Sequence, residues 1–333
     1  MPNPIKTTVV GSYPMIDWLT ALPSSQALHD ATAVVLKTQE LAGIDVVADG
    51  ELYRFDVNHP ETNGMIEYFV LPLGNVRGKV TRSDIAAFAK QAGMGFRVRP
   101  AAVVEGPIDE GTLNLVDDYA RIRSLTRAEL KFTVTGPHML SKTLLNQHYK
   151  DVPALAHAIG EILANQVAEI DADIVQLDEA NITGSPHEWE WAASALNLVL
   201  DRVQKTPAVH MCFGNYGGQS IQKGTWANLL DYMNALHVDH MVLEFAFRGY
   251  NELEYLKELR PEIGVGLGVI DIKTTVVESP DLVARRIEEA SKILGPDRIK
   301  YVHPDCGFWM LKRSIADRKM KALVEGRDLF DGK

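Results

Sequence analysis

Short β-branched runs separated by longer helical stretches dominate the pattern of hydrophobic and polar positions. The runs Thr7–Val10, Asp45–Ala48, Phe132–Thr135, Ile174–Leu177, Ala208–Met211, Met241–Leu243, Val265–Ile270 and Ile299–Val302 are mostly apolar and do not alternate. Strands of a parallel sheet covered by helices look like this. Between two of them Leu155, Ile159, Ile162, Leu163, Val167 and Ile170 recur at helical period. Ser279-Pro280 offers a capping hydroxyl and a first-turn proline, and Gly295-Pro296 a stop. Eight strands alternating with helices predict an α/β chain folded as one (β/α)8 TIM barrel domain over residues 1–333. The stretch from Leu52 to Lys131 is too long for one crossover helix and holds an extra apolar run, Phe96 to Val104. It reads as an excursion beside the barrel mouth, between strands two and three. A doubly wound open sheet is the alternative.

In such a barrel the chemistry sits where strands end. The ends here read Gly11-Ser12, Asp49-Gly50-Glu51, Gly136-Pro137-His138, Asp178-Glu179, His210-Met211-Cys212, Glu244, Asp271-Ile272-Lys273 and His303-Pro304-Asp305-Cys306. Polar and metal-capable residues therefore crowd one face. His210 and Cys212 are two apart on a strand, so both point to the same side, about 6.5–7 Å apart at Cα. Glu244 ends the next strand, and Cys306 the last. An imidazole, two thiolates and a carboxylate suit Zn²⁺. Core packing accounts for many isolated His-x-Cys pairs. Here, though, both cysteines of the chain fall at strand ends on one face. His303 is the competing ligand.

Composition narrows the field. Among 333 residues, 46% are hydrophobic and 23% charged, which excludes disorder and fibrous repeats. The net charge of −10 argues against a nucleic-acid partner. No apolar run approaches the roughly 20 residues of a membrane span. The opening Met1-Pro2-Asn3-Pro4-Ile5-Lys6 lacks the apolar core of a signal peptide, so a reducing cytoplasm is expected. Two cysteines cannot form a disulfide framework. Gly264, Gly266 and Gly268 do not make a dinucleotide fingerprint, because no helix follows at the required spacing. Gly214, Gly217 and Gly218 read as a loop of close backbone approach, either a substrate cradle or a plain turn. Trp189 and Trp191 are either a pocket floor or packing.

His210-Met211-Cys212, the acid of Val242-Leu243-Glu244 and Pro304-Asp305-Cys306-Gly307 resemble the zinc motifs of the cobalamin-independent methionine synthases. Thr7-Thr8-Val9-Val10-Gly11-Ser12-Tyr13-Pro14 looks like that family's opening strand and loop. Asp49-Gly50-Glu51 with Met65-Ile66-Glu67-Tyr68-Phe69, Thr135-Gly136-Pro137 and Gln176-Leu177-Asp178-Glu179 are similar to further motifs, in order. The likeness covers the family's catalytic C-terminal barrel; the N-terminal barrel of the long members has no counterpart.

The resemblance implies a Zn²⁺-dependent methyltransferase that methylates homocysteine to methionine. It implies that His210, Cys212, Glu244 and Cys306 hold the zinc. It also implies that Val10 and Ser12 bind the substrate carboxylate, and Glu51 and Asp178 its ammonium. An amino-acid thiol needs carboxylates for its amine, whereas coenzyme M, with its sulfonate, would want cations there. Glu179, adjacent to Asp178 on the strand, should face away from the lumen. The family's folate-using members carry a histidine after strand seven as proton donor, where this chain has Lys273. The pterin-stacking tryptophan after Gly136-Pro137 is also absent. These departures point to methylcobalamin or a corrinoid protein as methyl donor in place of methyltetrahydrofolate. The rival readings are alkyl transfer to another thiol, such as epoxide opening by coenzyme M, and a zinc-binding protein without turnover.

Overall fold

The computed structural model describes residues 4–56, 59, 62–91, 97–215 and 219–333. Its main sheet has eight strands: β1 (Lys6–Thr7), β2 (Val46–Ala48), β3 (Glu129–Thr135), β4 (Ile174–Asp178), β5 (Thr206–Met211), β6 (His240–Leu243), β7 (Gly264–Ile270) and β8 (Ile299–Pro304). They pair in parallel in the order β1-β8-β7-β6-β5-β4-β3-β2. A parallel bridge between Thr8 and Val46 joins the two ends, so the sheet is a closed barrel. All eight predicted strands are present, and the open-sheet alternative is excluded.

The first strand is shorter than its apolar run. The carbonyl of Val9 accepts from Lys131 Nζ at 2.7 Å and that of Val10 from Gln176 Nε2 at 2.9 Å. Both groups thus bond lumen side chains and leave the ladder. The predicted helix signals hold. Val152–Val167 buries Leu155, Ile159, Leu163 and Val167. Pro280–Leu294 starts under the Ser279 hydroxyl, which accepts from Leu282 N–H at 3.3 Å, and stops at Gly295.

The excursion exists as well. It carries helices Arg82–Phe88 and Leu115–Arg123 and two short strands, Val76–Arg77 and Val103–Val104. Val103–Val104 pairs antiparallel with Val76–Arg77 and parallel with Leu145–Asn146, beyond β3, in a separate three-stranded sheet. Ala101 to Val104 of the predicted apolar run are buried. Phe96, which begins that run, lies outside the described residues.

Inside the barrel, Val10, Val46, Ile174, Ala208 and Val242 form an apolar cluster apart from the helix-facing core. Above it the lumen turns polar. Register places Asp178 of β4 beside His210 of β5, and His210 beside Val242 of β6.

Candidate active site and metal centre

The C-terminal ends of the strands open into a cavity of about 240 Å³. Val10, Ser12, Glu51, Asp178, His210, Cys212 and Cys306 all line it. These are seven of the nine residues expected from the sequence. The other two, Glu244 and Lys273, pair with each other beside it.

His210, Cys212 and Cys306 bring one nitrogen and two sulfurs within 4.8 Å of one another. Among the described residues this is the only such group of three or more donors. His210 Nδ1 sits 3.0 Å from the Val242 carbonyl, which fixes the ring. Its Nε2 is buried without a hydrogen-bond partner. A buried imidazole nitrogen left unmatched beside two thiols is what a soft metal would satisfy, and the donor set fits Zn²⁺. Contact with Cys306, opposed by burial and reinforced by the His210 imidazole, draws the Cys212 thiol well below its ordinary range. The same contact, with burial, pushes Cys306 well up. The contact thus sets the two thiols apart and favours ionisation of one of them, the form a metal binds.

Glu244 lies outside that group. Its Oε1 accepts from Phe213 N–H at 3.0 Å and its Oε2 meets Lys273 Nζ at 2.9 Å. Both side chains are only 1% exposed. Burial, together with the neighbouring Cys212 sulfur, raises the Glu244 carboxyl above its usual value. His303 does not join the group either. It lies deeper, its Nδ1 2.7 Å from the Pro304 carbonyl, and burial drives it down to about 3, so it is neutral.

The acids opposite are held by protein partners. Glu51 adopts a left-handed backbone (φ 60°), which among the described non-glycine residues it shares only with Asn75. Its Oε1 accepts from the Thr133 hydroxyl at 2.6 Å and lies 3.5 Å from the Arg54 guanidinium. A side chain at Gly11 would collide with that carboxylate, its Cβ falling 2.2 Å from Oε1. One at Gly307 would strike the Ser12 hydroxyl at 1.9 Å. Asp178 Oδ1 accepts from Gln176 Nε2 at 2.8 Å. Gln176 in turn takes a hydrogen bond from the fully buried Lys131 at 2.8 Å. Burial pushes Asp178 up to about 7, with His210 opposing and the Glu51 charge adding. Burial lowers Lys131 to about 7, against the pull of Asp178 and Glu51.

Glu179 does face away from the lumen. Its two oxygens accept from the His138 and Met139 N–H groups, at 2.8 and 3.0 Å, at the start of helix Pro137–Thr143. Trp191 packs on His138, with ring centroids 4.8 Å apart, and neither Trp189 nor Trp191 lines the cavity. The aromatics at the mouth are instead Phe55 and Trp309, 6.2 Å apart. Gly214 has φ 94° and lines the cavity, whereas Gly217 and Gly218 lie outside the described residues.

Arg54 and Lys131 were not anticipated from the sequence, and Gln176 and Asp305 appeared there only as members of motifs, without a role. Asp305 accepts from the N–H groups of Phe245, Ala246 and Phe247 at 2.7–2.9 Å, fixing the backbone that follows Glu244.

A closed parallel barrel with donors and acids converging at its C-terminal mouth defines an enzyme barrel with a metal-capable site. Residues 5–327 match the catalytic-domain model of the cobalamin-independent synthases. The chain belongs to that family. It is 29% identical to a methionine synthase of Thermococcus kodakarensis, over 98% of this chain and 93% of that relative. One from Sulfurisphaera tokodaii is also 29% identical, over 97% and 91%. Among solved structures, a B12-independent methionine synthase from a Shewanella species, in complex with selenomethionine, superposes with a TM-score of 0.82. It has 25% identity and covers 99% of this chain and 98% of its own. A Listeria monocytogenes structure at 18% identity shares the fold, with a TM-score of 0.72 over 98% of both chains. The relatives are methyltransferases, and this chain is an enzyme of that class. Among the described residues no helix is long and apolar enough to cross a membrane.

Proposed function

We propose that the protein is a zinc-dependent methyltransferase that methylates the thiol of homocysteine to give methionine. The observation that carries this reading is the unpartnered His210 Nε2 beside the Cys212 and Cys306 sulfurs, in the same cavity as Glu51 and Asp178. His210, Cys212 and Cys306 would hold the ion, with Glu244 beside them. Bound zinc turns a thiol, mostly protonated at neutral pH, into a thiolate nucleophile.

The protein's own groups do the rest. Glu51 and Asp178 receive the substrate ammonium. Ser12 and the backbone beside Val10 receive its carboxylate. Arg54 and Lys131 offset the charge of the two acids, so that both can ionise around a cation. Phe55, Trp309, Met65 and Met139 border the cavity and would shield the reacting sulfur from water. The Shewanella relative's complex with selenomethionine, the selenium counterpart of the product, supports an amino-acid ligand here.

For the donor we propose methylcobalamin or a corrinoid protein. Lys273 stands where the resemblance places a proton-donating histidine, and its ammonium is engaged by Glu244. A cobalt–methyl donor has no leaving nitrogen to protonate. The test is methionine formation from homocysteine by zinc-loaded protein, with methylcobalamin and methyltetrahydrofolate in parallel. Turnover with methylcobalamin alone is expected. Turnover with the folate would contradict the donor assignment, and transfer only to another thiol, such as coenzyme M, would contradict homocysteine as substrate.

A further inference from the structure

We propose that Lys131 is a positioning residue for the amino-acid seat. Through Gln176 it dictates which way the hydrogen-bond donors point, and so holds Asp178 and the end of β1 ready for the substrate's ammonium and carboxylate. The inference rests on the homocysteine reading above and deepens it.

Lys131 is 1% exposed and lies on the lumen face of β3, with Thr133 two residues on. Gln176 and Asp178 share the lumen face of β4, and register sets Gln176 beside Thr133. Lys131 Nζ donates to the Val9 carbonyl at 2.7 Å and to Gln176 Oε1 at 2.8 Å. Gln176 Nε2 donates in turn to the Val10 carbonyl at 2.9 Å and to Asp178 Oδ1 at 2.8 Å. Gln176 is fully buried, so its amide has no bulk solvent to turn to.

An amide has an acceptor end and a donor end, whereas an ammonium has only donors. The Lys131 end therefore settles the orientation. Turning the amide over would set its N–H groups against the ammonium. It would also set its oxygen against the Val10 carbonyl and the Asp178 carboxylate. Buried mismatches of that kind cost more than well-made bonds contribute. The polarity of the lysine is thereby passed on to both halves of the seat. One Asp178 oxygen is tied back at the cavity wall, and the Val9 and Val10 carbonyls are drawn inward just before Ser12. A methionine would fill nearly the same volume beside Ile174 without the cost of burying an ammonium, but it would impose no direction on Gln176.

The test is calorimetric binding of homocysteine to the zinc-loaded protein. The reference is propanethiol, the same thiol without its ammonium and carboxylate. In Lys131→Met, homocysteine binding should weaken on the order of tenfold, the scale of one hydrogen bond to a charged group. Propanethiol binding and zinc content should stay unchanged. Equal weakening of both thiols would mark a general packing defect and overturn the proposal, as would unchanged homocysteine binding. The rival is that Lys131 acts only by offsetting charge. A charge acts whether or not Gln176 is present, so the losses in Lys131→Met and Gln176→Leu would then multiply in the double variant. Action through Gln176 predicts a double variant scarcely weaker than Gln176→Leu alone, and multiplied losses would overturn it. Gln176→Glu keeps the side-chain volume and a partner for Lys131, so it tests the polarity even if Lys131→Met does not fold. The new carboxylate has no donor for Asp178 or the Val10 carbonyl. Homocysteine binding should fall at least about tenfold with propanethiol unchanged, and wild-type homocysteine affinity would overturn the proposal. Wild-type protein that binds propanethiol as tightly as homocysteine would overturn the homocysteine reading and this inference together, whereas failure of the variants alone leaves that reading standing.

Discussion

The two sides of the barrel mouth are finished to different degrees. On the side of β5 and β8, His210, Cys212 and Cys306 face one another with the imidazole Nε2 unmatched. On the side of β1, β2 and β4, Glu51 and Asp178 are seated among Thr133, Arg54 and Gln176, with Lys131 beneath. Buried polar groups without partners are costly. The first side thus leaves a ring nitrogen unmatched beside two sulfurs, whereas on the second both acids already have protein partners, with Arg54 Nε and Nη1 the atoms left without a hydrogen bond there. Substitutions on the two sides should therefore fail differently: one through loss of the ion, the other through loss of substrate affinity.

The largest effect is expected from Cys306→Ser. Zinc retained after dialysis, read by elemental analysis, should fall at least about 100-fold in affinity, and methyl transfer should vanish with it. Zinc retention at the wild-type level would break the distinction from the metal side. Asp178→Asn should raise the homocysteine KM about 10- to 100-fold, the cost of one hydrogen bond to a charged group, with zinc content unchanged. Equal loss of zinc would show that the two sides are one unit.

The same carboxyl supplies a pH signature. Burial raises Asp178 to about 7, so below that pH it carries a proton that an ammonium ligand must displace. Homocysteine affinity should therefore fall as pH drops from 8 to 6, approaching tenfold per unit below 7, and Asp178→Asn should flatten this dependence. The smallest effect concerns support of the loop after Glu244. Asp305→Asn alters the carboxylate that receives three backbone N–H groups. It should cost about 1–3 kcal/mol in denaturant unfolding and weaken zinc roughly tenfold without changing the homocysteine KM at saturating zinc.

How much of this was legible in the sequence follows from the same contrast. Parallel strands covered by helices must be apolar on both faces, so eight runs could be read directly. The metal side was legible because both cysteines end strands, and a strand's period of two aligned His210 with Cys212. The supports of the acid side were not. Lys131 finds its partners 122 and 45 residues away, at the Val9 carbonyl and Gln176. No local pattern encodes such contacts. The one available signal was a lysine between Leu130 and Phe132 in an otherwise apolar strand. Glu244 was placed by its strand end and by the resemblance, neither of which could show that Lys273 reaches across to it. The three-stranded sheet of the excursion is made of two-residue strands, too short to have a period. Trp309 was hidden because it follows the Cys306 motif in a loop, where periodicity says nothing about direction.

The account stands or falls on whether the substrate sulfur reaches the metal. X-ray absorption at the zinc edge, recorded on zinc-loaded protein before and after homocysteine, measures this directly. The account predicts that the sulfur count around zinc rises from the two of Cys212 and Cys306 to three. A shell that keeps its two sulfurs at saturating homocysteine would contradict it, and would leave a zinc-binding barrel without the thiol chemistry assigned to it.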